Sequence, residues 1–190
     1  MSEEAVQEAM TSVQVTDETD AELVRSVDLI REVPDFPEPG VLFRDIGPML
    51  SDSTALRAIT AALGRDLEFD VVAGVEARGF LLGAAVAQHF GTGVIGLRKP
   101  GKLPAVADSI SYELEYGHAT LELPADTLAA GQRVLVVDDV LATGGTLGAA
   151  CHLIAQAGAE VTAAAVVMEL TGLRGRDNVS GTEIRTLLKA

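Results

Sequence analysis

Two adjacent carboxylates, Asp138 and Asp139, are followed after two apolar residues by a turn of hydroxyls and glycines, Ala142-Thr143-Gly144-Gly145-Thr146. The acids can accept hydrogen bonds from a sugar diol, as an acid does on ribose in dinucleotide sites. The turn can aim backbone N–H groups of a new helix at an anion, the physical recipe for a phosphate monoester cradle. Either half alone is weak, because glycine pairs commonly just turn the chain. Their combination, directly after a hydrophobic run, is specific.

Such groups must be carried by rigid elements. Val134–Val137 is an unbroken apolar run, which predicts a strand buried on both faces of a parallel sheet. A helical pattern begins at Leu147 and runs to Gln156, with Gly158 as its stop. Ligands of open α/β sheets bind just past the carboxyl ends of such strands. A second strand is predicted over Asp70–Val75, followed by Glu76-Ala77-Arg78-Gly79-Phe80 and a helix through Val86. An arginine beside a glycine past a strand end can hold an anion with both guanidinium and backbone. Further on, Arg98-Lys99-Pro100-Gly101-Lys102-Leu103-Pro104 gathers three cations and no acid, in a chain of formal net charge −14. A solvated basic turn would have that composition too, but the local excess suits an anion clamp.

The same net charge argues against nucleic acid or an anionic membrane as the main partner. A length of 190 residues, with 48% hydrophobic content, suits one packed α/β domain plus an extension. Residues 1–19 are acidic and polar and read as a flexible extension, disordered or loosely helical. The N-terminus lacks the basic start of a signal peptide and no apolar run reaches membrane-spanning length, so cytoplasm is the expected compartment. The single cysteine, Cys151, lies inside an apolar helix and reads as a small buried hydrophobe.

Taken in order, Thr19-x-x-Glu22 forms a capping box, so a helix is expected from near Asp20. Val33–Ile46 holds three prolines and a glycine, which forbid a helix and predict an irregular loop carrying Phe36 and Phe43. An aromatic face there could wall a pocket for a planar base. Leu56, Ile59, Leu63 and Leu67 fall at helical spacing and read as core. Gly91-Thr92-Gly93-Val94-Ile95-Gly96 matches G-x-G-x-x-G, yet it follows a helix and enters a strand, the reverse of a dinucleotide fingerprint. Ser109–Leu114 and Ala119–Leu123 alternate polar and apolar, predicting a hairpin through Glu115-Tyr116-Gly117-His118. Val161–Leu170 reads as a strand, Thr171–Asn178 as a polar loop with Arg174 and Arg176, and Ile184–Leu188 as a final edge strand. Asn178-Val179-Ser180 matches a glycosylation sequon that is not expected to be read.

The Val134–Thr146 stretch resembles the signature of type I phosphoribosyltransferases, where the acids hold ribose hydroxyls and the turn holds the 5′-phosphate of phosphoribosyl pyrophosphate (PRPP). Asp35-Phe36-Pro37, Pro39-Gly40-Val41 and Phe43-Arg44-Asp45-Ile46 resemble the base-binding segment of the adenine phosphoribosyltransferase family. Glu76–Phe80, the Arg98–Pro104 loop and Ser111-Tyr112 with Leu114–Gly117 follow in that family's order. The resemblance spans roughly residues 20–190. It implies the type I fold, a central mostly parallel sheet flanked by helices with a small base-binding hood and a flexible hairpin loop. It implies transfer of phosphoribose from PRPP to adenine with Mg²⁺, giving AMP and pyrophosphate, by a homodimer.

By the same resemblance, Asp138 and Asp139 bind ribose and Ala142, Thr143, Gly144, Gly145 and Thr146 bind the 5′-phosphate. Arg78, Arg98, Lys99 and Lys102 bind pyrophosphate, the last three belonging to a loop that in the family can reach a neighbouring subunit's site. Phe43 stacks on adenine, Leu42 offers it backbone groups and Arg44 sits beside it. Glu115 shuttles a proton and Tyr116 belongs to the closing loop. Two departures stand out: Gly47 replaces a small hydroxyl residue and His118 a frequent lysine. A transferase for another base, or a PRPP-sensing regulator, remains open on these residues, although a regulator would need a basic DNA-binding module that the acidic N-terminus does not offer.

Overall fold

The computed structural model describes residues 14–15, 21–113 and 118–190, with backbone alone at 14, 15 and 113. In chain order the strands are β1 (Gln14–Val15), β2 (Arg31–Pro34), β3 (Leu42–Asp45), β4 (Val71–Val75), β5 (Gly93–Leu97), β6 (Val106–Glu113), β7 (His118–Pro124), β8 (Arg133–Leu141), β9 (Glu160–Glu169) and β10 (Ile184–Lys189). The α-helices are α1 (Ala21–Ser26), α2 (Gly47–Ser51), α3 (Ser53–Gly64), α4 (Arg78–Phe90) and α5 (Gly145–Gln156).

The central sheet has the order β1-β10-β9-β8-β4-β5, parallel throughout except for β1, which lies antiparallel on β10. The apolar runs of β4 and β8, Val71–Val75 and Val134–Val137, are buried at every position because both faces are covered. Val72, Leu135, Val137 and Ala165 pack under α3 and α4, where Ile59, Leu63, Leu82 and Val86 meet them. The alternate residues Val71, Ala73, Val134 and Val136 face α5 and the inward Leu121 and Leu123 of β7. Along these runs the valines and leucines alternate between the two cores, the period-2 reading of an unbroken apolar run. Asp52 caps α3, accepting from the N–H groups of Thr54 (3.0 Å) and Ala55 (2.8 Å), a contribution of about 1 kcal/mol.

Strands β4, β5, β8 and β9 and the β6–β7 hairpin lie where the sequence predicts them, within a few residues at each end. Gly91 closes α4 with a left-handed φ of 71° before β5 opens, so the G-x-G-x-x-G match does run from helix to strand. Two expectations change. Val33–Ile46 is no irregular loop: β2 and β3 form an antiparallel ribbon with Val33 opposite Phe43. Its prolines are placed where a ribbon tolerates them, Pro34 at the end of β2 and Pro37 and Pro39 in the turn. Ile184–Leu188 is not the edge, because β1 pairs outside it. The Thr19 cap and most of the 1–19 extension lie outside the described residues, as do Glu115 and Tyr116.

Candidate active site

The carboxyl end of β8 delivers Asp138 and Asp139 to the head of a cleft, each about 8% exposed. The Asp139 N–H donates to Asp138 Oδ1 at 2.8 Å. Burial, and then the adjacent Asp139 carboxylate, pushes the Asp138 carboxyl well above its ordinary value. Arg78, the first residue of α4, reaches Asp139 Oδ2 at 2.8 Å and lies 5.6 Å from the centre of the Phe43 ring. This reach depends on α4 approaching β8 closely: a Cβ on Gly79 would stand 2.7 Å from the Val137 carbonyl oxygen.

Past the acids the chain turns through Ala142–Gly144 into α5. Gly144 has φ +84°, a left-handed conformation that side chains rarely adopt, and a Cβ there would run into the Gly175 carbonyl oxygen. A Cβ on Gly148 would lie 2.7 Å from the Asn178 carbonyl oxygen, and Asn178 Nδ2 donates to the Thr143 carbonyl at 2.7 Å. The 175–178 turn thus buttresses the α5 start, whose first N–H groups have no intrahelical acceptor. Thr146 Oγ1 lies 3.2 Å from the Tyr112 hydroxyl on β6.

These groups enclose a cavity of about 310 Å³, lined by Glu76, Arg78, Lys99, Asp138, Asp139 and the turn from Ala142 to Gly144 with Thr146. Gly145 opens the helix behind it and faces a neighbouring groove instead. A second cavity of about 130 Å³ is walled by Leu42, Phe43 and Arg44 from β3 and by Met168 and Leu170. Arg78, Asp139 and Val140 line both, so the two cavities meet at the ion pair. Phe36 packs edge-on to Phe43 with centroids 5.2 Å apart, and Arg44 Nε stands 3.4 Å from Glu32.

The basic loop is gathered by Glu76. Its carboxylate bonds the Lys102 ammonium, accepts the Lys99 N–H at 2.9 Å and stands 3.5 Å from Arg98 Nε. The Lys102 bond, with help from the Lys99 N–H, holds the Glu76 carboxyl below its usual range. Arg98 also bonds the Lys102 carbonyl at 3.3 Å and lies over Phe80. Of the three cations only Lys99 lines the cleft; Arg98 and Lys102 stand behind it on Glu76.

Sequence reading gave no individual role to Glu76, Tyr112 or Asn178, although the first two stand in segments it singled out; the structure places Glu76 and Tyr112 on the cleft and Asn178 against the Thr143 carbonyl. The partners of Glu76 are 23 and 26 residues away, and Asn178 presented itself only as a sequon. Arg176, read as part of a polar loop, instead grips Glu169 with two bonds of 2.8 and 2.7 Å. The Gly47 departure has a local reason: its N–H donates to Asp45 Oδ1 at 2.8 Å, and a Cβ would crowd that oxygen at 2.9 Å. Cys151 is buried, as expected, and burial pushes its thiol up to about 11.

Residues 53–187 match the family model described as a phosphoribosyl transferase domain. The adenine phosphoribosyltransferase of Saccharopolyspora erythraea is 70% identical over 178 residues, covering 94% of this chain and 98% of that protein. A solved structure of the adenine phosphoribosyltransferase of Thermoanaerobacter pseudethanolicus superposes with TM-score 0.84 at 44% identity, covering 88% of this chain and 99% of that one. That of Saccharomyces cerevisiae, complexed with an imino-altritol bisphosphate and adenine, gives 0.82 at 32% identity, covering 87% and 98%.

Proposed function

This chain belongs to the adenine phosphoribosyltransferases, and from that premise we propose how its residues divide the work. It transfers the 5-phosphoribosyl group of PRPP to adenine, giving AMP and pyrophosphate, a step of purine salvage. The observation that carries the division of labour is the junction of the two cavities at Arg78 and Asp139. A planar base beside Phe43 and a sugar phosphate on Asp138, Asp139 and the α5 start would meet there, where the new bond forms.

Asp138 and Asp139 accept the ribose hydroxyls, and their charge suits a ring that turns cationic as the pyrophosphate departs. The turn from Ala142 to Thr146 holds the 5′-phosphate, so that binding energy remote from the reacting carbon positions it. Arg78, Arg98, Lys99 and Lys102 offset charge on the leaving pyrophosphate, Arg98 and Lys102 by exchanging Glu76 for it. Phe43 stacks on adenine while Leu42 offers its backbone to the base edge and Arg44 flanks it. Glu115 moves the proton as N9 becomes glycosylated, and Tyr116 helps the hairpin exclude water.

Asp138, Asp139, Thr143 and Thr146 are among the residues that bring oxygens to the cleft, hard donors that would suit Mg²⁺. With Asp139 engaged by Arg78, the ion would be held chiefly through PRPP oxygens and waters. When bound it neutralises part of the pyrophosphate charge. A homodimer is supported by Leu81 (65% exposed) on α4 and Val94 (46% exposed) on β5, the last strand of the central sheet among the described residues. Among the described residues no helix is long and apolar enough to cross a membrane, and a cytoplasmic setting fits the substrates. Pyrophosphate release from PRPP and Mg²⁺, assayed in parallel with adenine, hypoxanthine, guanine and orotate, tests the base pocket. Release with adenine and formation of AMP are expected; release with another base alone would discard the Phe43 assignment.

A further inference from the structure

Besides the core packing of Leu121 and Leu123, the β6–β7 ribbon is tied to the body of the protein by hydrogen bonds at two places among the described residues, and each lies on a different proposed anion site. On one side Arg98 and Glu122 exchange backbone hydrogen bonds of 3.0 and 2.7 Å, joining β7 to the basic loop. On the other, Tyr112 packs its ring against the core beneath α5 and sets its hydroxyl 3.2 Å from Thr146 Oγ1. Tyr112 lines the PRPP cleft and also the groove of about 660 Å³ between β6 and α5, so it stands at the seam of ribbon and cradle. It faces Ala119 across the ribbon.

A threonine hydroxyl has one proton and two acceptor lone pairs. Without phosphate, Thr146 donates that proton to Tyr112. A phosphate oxygen entering the α5 start is acceptor-only and claims the Thr146 proton. The Tyr112 hydroxyl must then reverse and donate to Thr146, completing a chain from Tyr112 to Thr146 to phosphate whose links polarise one another. We infer that Tyr112 is a positioning residue that couples occupancy of the 5′-phosphate cradle to the placement of the β6–β7 ribbon over the site. The coupling rests on the cradle assignment above, and the ligand that isolates it is ribose 5-phosphate, which carries neither pyrophosphate nor base.

The test combines calorimetry with amide hydrogen exchange of residues 106–113 and 118–124, in the wild type and Tyr112→Phe. The wild type is expected to bind ribose 5-phosphate and to slow exchange in the ribbon. Tyr112→Phe, compared at saturating ligand, is expected to bind without that slowing. Its KM for PRPP should rise by less than about twofold, because the bond is made with and without phosphate and only its strengthening is lost, while its KM for adenine stays put. Thr146→Ser should keep the ribbon response and Thr146→Val lose it. Equal slowing in wild type and Tyr112→Phe would overturn the coupling while leaving the cradle standing. A wild type that does not bind ribose 5-phosphate would overturn the cradle itself, and the coupling with it.

Discussion

The two proposed anion sites of the cleft are made of different material. The 5′-phosphate cradle is backbone, fixed by glycines so close to their neighbours that a single Cβ at Gly144, Gly148 or Gly175 would collide with a carbonyl oxygen. The pyrophosphate site is built from long side chains, Arg98, Lys99 and Lys102, gathered on the carboxylate of Glu76. The cradle is preorganised, and its N–H groups cost no rearrangement when an anion arrives. The basic loop must exchange one anion for another, with cations that are a third to a half exposed and open to screening. The contrast follows the reaction: the 5′-phosphate stays attached to the group being moved, whereas the pyrophosphate must leave.

Gly144→Ala attacks the contrast at its rigid end. Positive φ and the collision with Gly175 would displace the α5 start, and a shift of that kind is expected to lower kcat/KM for PRPP roughly a hundredfold. Steady-state kinetics near wild type would mean that the cradle is not set by its backbone. Glu76→Gln attacks the adaptable end. Untying Lys102 and Arg98 is expected to change the KM for PRPP by roughly fivefold, the scale of a part-exposed ion pair, and to leave ribose 5-phosphate affinity unchanged. Calorimetry with both ligands separates the two sites; a Glu76→Gln chain that lost ribose 5-phosphate would join them.

How far these regions were legible in the sequence differs for the same reason. The cradle is local: an apolar run, two acids and a glycine turn lie within thirteen consecutive positions from Val134 to Thr146, and both faces of β8 are buried as that run implies. Even so, α5 starts at Gly145 rather than Leu147, because the turn itself supplies the first helical residues. The basic loop was legible as a charge excess, but its anchor Glu76 was not, since β5 and α4 intervene in the chain. The β2–β3 ribbon was read as a loop because Pro34, Pro37 and Pro39 conceal the alternation, and they occupy a strand end and a turn. Asn178 and Tyr112 act through contacts 35 and 34 residues distant, which spacing rules do not reach.

A smaller effect separates the acids from the scaffold that carries them. The raised Asp138 carboxyl means that the folded chain binds a proton more tightly there than the unfolded chain does. Its contribution to stability is therefore fully present below the ordinary Asp value near 4 and is lost as pH rises toward the folded value. Asp138→Asn removes that loss. Its melting temperature should exceed wild type by a few degrees at neutral pH, about the effect of 1 kcal/mol, and converge with it near pH 4. A variant equally stable at both pH values would show that Asp138 ionises freely in the fold.

The contrast between a backbone cradle and a side-chain clamp is tested most directly by calorimetric titration of ribose 5-phosphate and of magnesium pyrophosphate at rising ionic strength. The account predicts that pyrophosphate affinity falls steeply with salt while ribose 5-phosphate affinity falls only slightly. Equal slopes for the two ligands would contradict it.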